Sequence, residues 1–212
     1  MRKPIFKCIT IFMLSLAVVS CKNKAEEAVT TDAVVAAEAQ DNSVKYMANP
    51  TNTLIEWTGH KPTGQHIGTI FLESGEFTVN EGKIESGTFK INMATLKEYD
   101  GNAKLEGHLK SADFFDVATY PEATFEVTGF ENVDGKMMLS GNLTLKEIKN
   151  NVTFPVTLSE KDDIFTITSE MFTIDRSKWN VKYGSKSFFD NLGDKFINDD
   201  IELKIVVNAK KS

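Results

Sequence analysis

Three histidines, His60, His66 and His108, are the side chains of this sequence best suited to acid–base or metal chemistry near neutral pH. Their spacing argues against a metal site. His60 and His66 stand six apart across a Pro/Gly turn, and no cysteine or carboxylate is placed by sequence to complete a tetrahedron. They are expected to be hydrogen-bonded polar residues at the mouth of the fold. His108 shares a helical face with Leu105 and Leu109, so it should turn inward, as a core histidine or as a ligand contact. Asp175 and Arg176 could pair an acid with a cation, but successive strand residues face opposite ways, so a salt bridge or turn hydrogen bond for each is expected instead. No GxSxG elbow, HExxH pair, Walker loop or GxGxxG occurs. The expectation is therefore no catalytic residue, no metal and no cofactor.

The residues that remain suited to a function are apolar. Fifteen Phe, beside two Trp and four Tyr, are a heavy aromatic load. Phe114-Phe115-Asp116 and Phe188-Phe189-Asp190 repeat one another. They either pack as plugs on a rim or line the entrance of an apolar tunnel, with Trp57 and Trp179 as broad walls. The net charge of −6 leaves no electropositive surplus for phosphates, so nucleic acid is not expected as a partner.

These side chains must be held by strands. From Leu54 onward the hydrophobic period is two: Phe89, Ile91 and Met93 alternate with Lys90 and Asn92, and Ala123, Phe125 and Val127 with Thr124 and Glu126. Met137, Leu139, Gly141, Leu143 and Leu145 form a third series, Val152, Phe154, Val156 and Leu158 a fourth, and Ile201 to Ala209 a fifth. Each has one apolar and one polar face. Asn80-Glu81-Gly82, Val133-Asp134-Gly135 and Lys161-Asp162-Asp163 sit where hairpins would reverse. Helical spacing over Lys104–Phe115 and a single turn over Ser187–Leu192, stopped by Gly193, interrupt the strands. The fold expected is all-β, an eight-stranded antiparallel barrel with one or two short helical insertions, because closure removes exposed edges. Its interior could be filled by side chains or hold one ligand.

The chain reads as three parts. Residues 1–20, with Arg2, Lys3 and Lys7 before an uncharged run from Cys8 to Val19, have the layout of a secretory signal too short to span a membrane. Leu16-Ala17-Val18-Val19-Ser20-Cys21 resembles a bacterial lipobox, which makes Cys21 the candidate lipidation site and leaves a mature charge of −9. The expected location is the bacterial envelope, lipid-anchored, facing the periplasm or on the outer membrane. Residues 21–49, rich in Ala and Glu, read as a flexible tether, and 50–212 as the barrel domain.

Several segments together resemble the YceI family of bacterial envelope proteins, lipocalin-like barrels associated with polyisoprenoid binding. They are Trp57-Thr58-Gly59-His60-Lys61 with Gly64-Gln65-His66-Ile67-Gly68, Lys104 to Asp116 followed by Tyr120-Pro121-Glu122-Ala123-Thr124-Phe125, Gly141 to Lys146, and Asp175 to Gly184. Glu147 departs from the glycine usual there, which puts the local turn in question. The resemblance implies a pocket for an isoprenoid or other long lipid. Its candidate lining is Trp57, His66, Phe89, Ile91, His108, Phe114, Phe115, Phe125, Gly141, Leu143, Phe154, Trp179, Phe188 and Phe189. A ligand-free stress or structural barrel and an enzyme acting on an isoprenoid lipid remain as alternatives. Pairing of two copies is left open.

Overall fold

The computed structural model describes residues 25–212; the segment expected to be a signal and Cys21 lie outside the described residues. The wall is built from twelve strands that form a ring. β1 (Glu26–Glu27), β2 (Val29–Asp32) and β3 (Val44–Ala48) precede β4 (Leu54–Lys61), β5 (Gly64–Asn80) and β6 (Lys83–Glu98). Helix α1 (Ala103–Lys110) leads to β7 (Glu122–Val133), β8 (Lys136–Leu145), β9 (Ile148–Lys161), β10 (Ile164–Ser169), β11 (Phe172–Asp175) and β12 (Asp200–Lys211). From β4 to β10 each strand pairs antiparallel with the next, and β12 joins β10 and β11 on one side to β4 and β3 on the other. Because β3 and β4 share both neighbours, and β10 and β11 both lie on β12, the ring has the eight staves expected. The alternating apolar series points inward, and Phe89, Ala123, Leu139, Phe154, Ile167 and Val207 are all buried.

The hairpins follow the turn chemistry. Glu81-Gly82, Asp134-Gly135 and Asp162-Asp163 each have two left-handed residues between directly paired strand ends, the geometry that matches the strand twist. Lys146-Glu147 turns the same way, with φ of 50° and 63°. The Glu147 position therefore keeps a two-residue reversal without glycine. Helix α1 begins where the Asn102 side chain accepts the Leu105 N–H at 3.1 Å and ends where the Ser111 N–H returns to the His108 carbonyl. Ser187–Leu192 is not helical. The Ser187 hydroxyl binds Asp199 at 2.7 Å, and Asn191 and Gly193 are left-handed, so the segment is a turn followed by a short 3₁₀ helix at Gly193–Lys195.

The segment expected as a tether is part of the wall from Glu26 onward. β9 pairs with β10 from Val156 to Lys161, then switches partner: Asn150–Thr153 pair with β2. β1 lies parallel to β11, so residues 26–32 fill the split between β9 and β11. Pro155, which has no N–H to give to a ladder, stands at the switch. The chain then crosses the outside of the sheet. Asn142 accepts the Val34 N–H at 3.1 Å and donates to the Val34 carbonyl at 2.6 Å, Ala37 bonds to Val127, and Gln40 and Ser43 both bond to Glu85 before β3 begins. Long-range backbone pairing, rather than apolar content, orders this arm.

Ser169 repairs a second irregularity. Between the β11 and β10 ladders on β12, the Ser169 hydroxyl accepts the Ile205 N–H at 2.9 Å, and its carbonyl accepts from Lys204. The backbone donor is thereby satisfied where the strand pairing is broken.

Candidate functional site

The inward face encloses one elongated cavity of about 420 Å³. Its wall comes from every stave of the ring. Trp57, Phe89, Ile91, Phe125, Leu143 and Phe154 line it from the strands, and His66 stands at its mouth. Helix α1 contributes Leu105, His108 and Leu109, and the turn after it contributes Phe114 and Phe115. Phe114 and Phe115 meet edge to face at 4.9 Å. Both Phe114 and Phe115 are buried, so this pair roofs the cavity as an apolar layer.

Four candidates are not in the lining. Gly141 faces inward, but the Phe125 ring occupies its space: a Cβ there would come within 2.2 Å of Phe125 Cζ. Trp179 is fully buried away from the cavity, its Nε1 donating to the Leu143 carbonyl at 3.0 Å. Phe188 and Phe189 are exposed, and Lys182 stands 5.0 Å over the Phe188 ring. Their expected place at the mouth is taken by Tyr183 and Ile197 from the same connection.

That connection is held by Arg176, whose lining position sequence reasoning missed. Phe172, Ile174 and Arg176 occupy successive inward positions and all three line the cavity. A cation continuing an apolar period-two series was the available signal. The Arg176 side chain is fully buried, with salt-bridge contact to Asp199 at 3.2 Å. It also donates to the carbonyls of Val181 at 2.6 Å, Tyr183 at 3.0 Å, and Ile197 and Asn198 at 3.2 Å. Burial lowers its pKa, opposed by Asp199 and Asp175. Its guanidinium lies 5.1 Å from the Phe114 ring centroid, so the fork that fixes the connection also supports the roof. Asp175 binds the Ser177 N–H instead, so the two residues serve separate structural contacts as expected.

All three histidines meet at this mouth, each beside a carboxylate: His60 with Glu202 at 3.1 Å, His66 with Glu98 at 3.2 Å and His108 with Asp113 at 4.0 Å. His108 is half-buried rather than a core residue, its ring edge-on to Tyr183 at 4.5 Å. Burial pulls the Glu98 carboxyl upward, but the backbone N–H groups of Asn102 and Asp100 and the His66 ring outweigh it and hold its pKa below the ordinary carboxylate value. Among the described residues, no three His, Cys, Asp or Glu side chains come together as a metal site requires. Trp57 brings the cavity a buried Nε1–H with no hydrogen-bond partner among the described residues. An oxygen on an apolar ligand would satisfy that donor.

The fold and site define a β-barrel binding scaffold: an apolar cavity inside a strand ring, with a polar mouth at one end. The chain belongs to the YceI-like family, whose domain matches residues 46–209. The UPF0312 protein of Azotobacter vinelandii is 29% identical over 150 residues, covering 70% of this chain and 71% of that protein. Protein YceI of Salmonella arizonae is 34% identical over 103 residues, which are 46% of this chain and 52% of that protein. In structure, the chain is similar to BcnA of Burkholderia cenocepacia, with a TM-score of 0.64, 22% identity and coverage of 77% and 99%. A polyisoprenoid binding domain from Saccharophagus degradans implicated in plant cell wall breakdown matches with a TM-score of 0.61 and 14% identity, over 80% and 99% of the two chains. At these identities the structural likenesses carry the fold, a lipocalin-like ring of strands.

Proposed function

We propose that this protein binds a prenyl-chain lipid in the barrel and carries or sequesters it in the bacterial envelope, held to a membrane by acylation of Cys21. The observation that supports lipid binding is the cavity itself: about 420 Å³, lined almost wholly by apolar side chains, with the three histidines at its mouth and Ser169 on its wall. A flexible hydrocarbon chain gains roughly 25 cal/mol for each Å² of apolar surface it buries there, with no charged contact required. Trp57 Nε1 then receives the hydroxyl or carbonyl oxygen of the head, and the histidine–carboxylate pairs frame it. The polyisoprenoid binding domain among the structural relatives points the same way. A binding role is favoured over catalysis because the cavity lining is almost wholly apolar.

Titration with geranylgeraniol tests this reading. Wild-type protein is expected to bind it, and Ala123→Leu, which adds bulk at a buried lining position, is expected to lower affinity at least tenfold while keeping the fold. Equal binding by a folded Ala123→Leu protein would place the lipid elsewhere.

A further inference from the structure

The cavity does not run the length of the barrel. Its lining stops at the level of Leu72, Phe89, Val156, Ile167 and Val207. The next layer towards the β5–β6 hairpin is aromatic. Tyr46 stacks on Phe77 at 5.5 Å, and Phe165 closes against both at 5.1 and 5.5 Å. These three rings are buried, and none of them lines the cavity. The layer is locked from two sides. Tyr46 Oη donates to Glu160 at 2.6 Å, and Gly87 leaves room for Phe77, since a Cβ at residue 87 would come within 2.7 Å of Phe77 Cβ. Phe89 stacks on Phe77 from above at 6.0 Å, so the floor and the cavity wall share one aromatic contact.

We propose that Tyr46, Phe77 and Phe165 form a fixed floor that sets the length of prenyl chain the barrel encloses. The inference rests on the prenyl-lipid reading above and adds a limit to it. A cavity closed by this layer takes only as many five-carbon units as fit between mouth and floor, and it leaves further units in water. Affinity should rise by roughly tenfold or more for each unit that is buried, and should stop rising once the chain meets the floor.

The test is equilibrium binding of farnesol, geranylgeraniol and longer prenols to delipidated protein. Wild type is expected to gain affinity with each added unit up to one chain length and then to level off. Phe77→Ala removes about one isoprene unit's volume from the floor and should move the break one unit longer. Val207→Phe, which adds bulk at a buried lining position just above the floor, should move it shorter, and it answers the question if Phe77→Ala does not fold. Affinity that keeps climbing through the longest prenols in wild type, or a break unchanged in a folded variant, would overturn the floor while leaving the prenyl reading standing. No binding at any length would overturn that reading, and the floor with it.

Discussion

The Phe125 ring stands over Gly141 so closely that a Cβ at residue 141 would meet Phe125 Cζ at 2.2 Å, Cε1 at 2.5 Å and Cε2 at 2.6 Å. The glycine is a seat for an aromatic wall residue, and the two are connected through the paired strands β7 and β8. Gly141→Ala should therefore push the ring into the cavity. A loss of about 1–3 kcal/mol in stability is expected from the displaced packing, with lower ligand affinity, read by urea denaturation and ligand titration.

Arg176 should be among the costliest residues to remove. Its loss strips donors from four carbonyls and leaves Asp199 without its cation. Arg176→Met is expected to destabilise by about 3 kcal/mol, because four carbonyls and Asp199 lose one charged partner together. Arg176→Lys should recover little of it, since an ammonium cannot reproduce the planar fork. Chemical denaturation of the two variants checks both statements.

The arm across the outer face should loosen on a single substitution. Asn142 is buried, holds both polar backbone groups of Val34 and accepts from Asn151 at 3.1 Å. Asn142→Ala is expected to cost about 0.5–1.5 kcal/mol, from the lost hydrogen bonds to the Val34 backbone and to Asn151, which keeps Thr128 as a partner. Hydrogen exchange should show the Val34 and Ala37 amides losing protection before the strands of the ring.

The floor carries an alkaline dependence. The Glu160 hydrogen bond, burial and the Glu160 charge raise the Tyr46 pKa from 10.0 to about 12. The folded protein then holds the tyrosine proton more tightly than the unfolded chain does. Its contribution to stability is complete below pH 10 and is lost as pH rises from 10 towards 12. Tyr46→Phe should be less stable at neutral pH and should flatten the decline in that window, measured by denaturation across pH.

The strands were legible because inward and outward positions alternate with unlike chemistry, as in Phe89, Ile91 and Met93 against Lys90 and Asn92. The resemblance carried by Trp57 to His66 and Lys104 to Phe125 pointed to the family. What a one-dimensional pattern could not carry was who occupies whose space. Gly141 read as a lining residue, but the ring across the ladder covers it. Trp179 read as a cavity wall, but its indole N–H is drawn to the Leu143 carbonyl. Phe188 and Phe189 repeat the roof pair in sequence, yet the bonds of Ser185 and Ser187 to Asp199 shape that turn and leave both rings exposed. The arm from Glu26 was obscured by its Ala/Glu composition, since its order comes from ladder partners more than a hundred residues away.

The acylation proposed for Cys21 can be tested apart from the barrel. Cys21→Ser should release the protein from the membrane fraction and abolish fatty acid labelling, because each buried methylene of an acyl chain contributes about 0.8 kcal/mol to retention. The released protein should keep its ligand, since the cavity is built from residues far along the chain, from Ile55 to Val207.

Mass spectrometry of the solvent extract of folded protein, purified from its native host cells, tests the central claim most directly. A prenyl-chain lipid near one equivalent per chain is expected from wild type, and much less from Ala123→Leu prepared in the same way. Wild-type protein that yields no lipid, or that yields it equally with Ala123→Leu, would contradict the binding of a prenyl chain in this cavity.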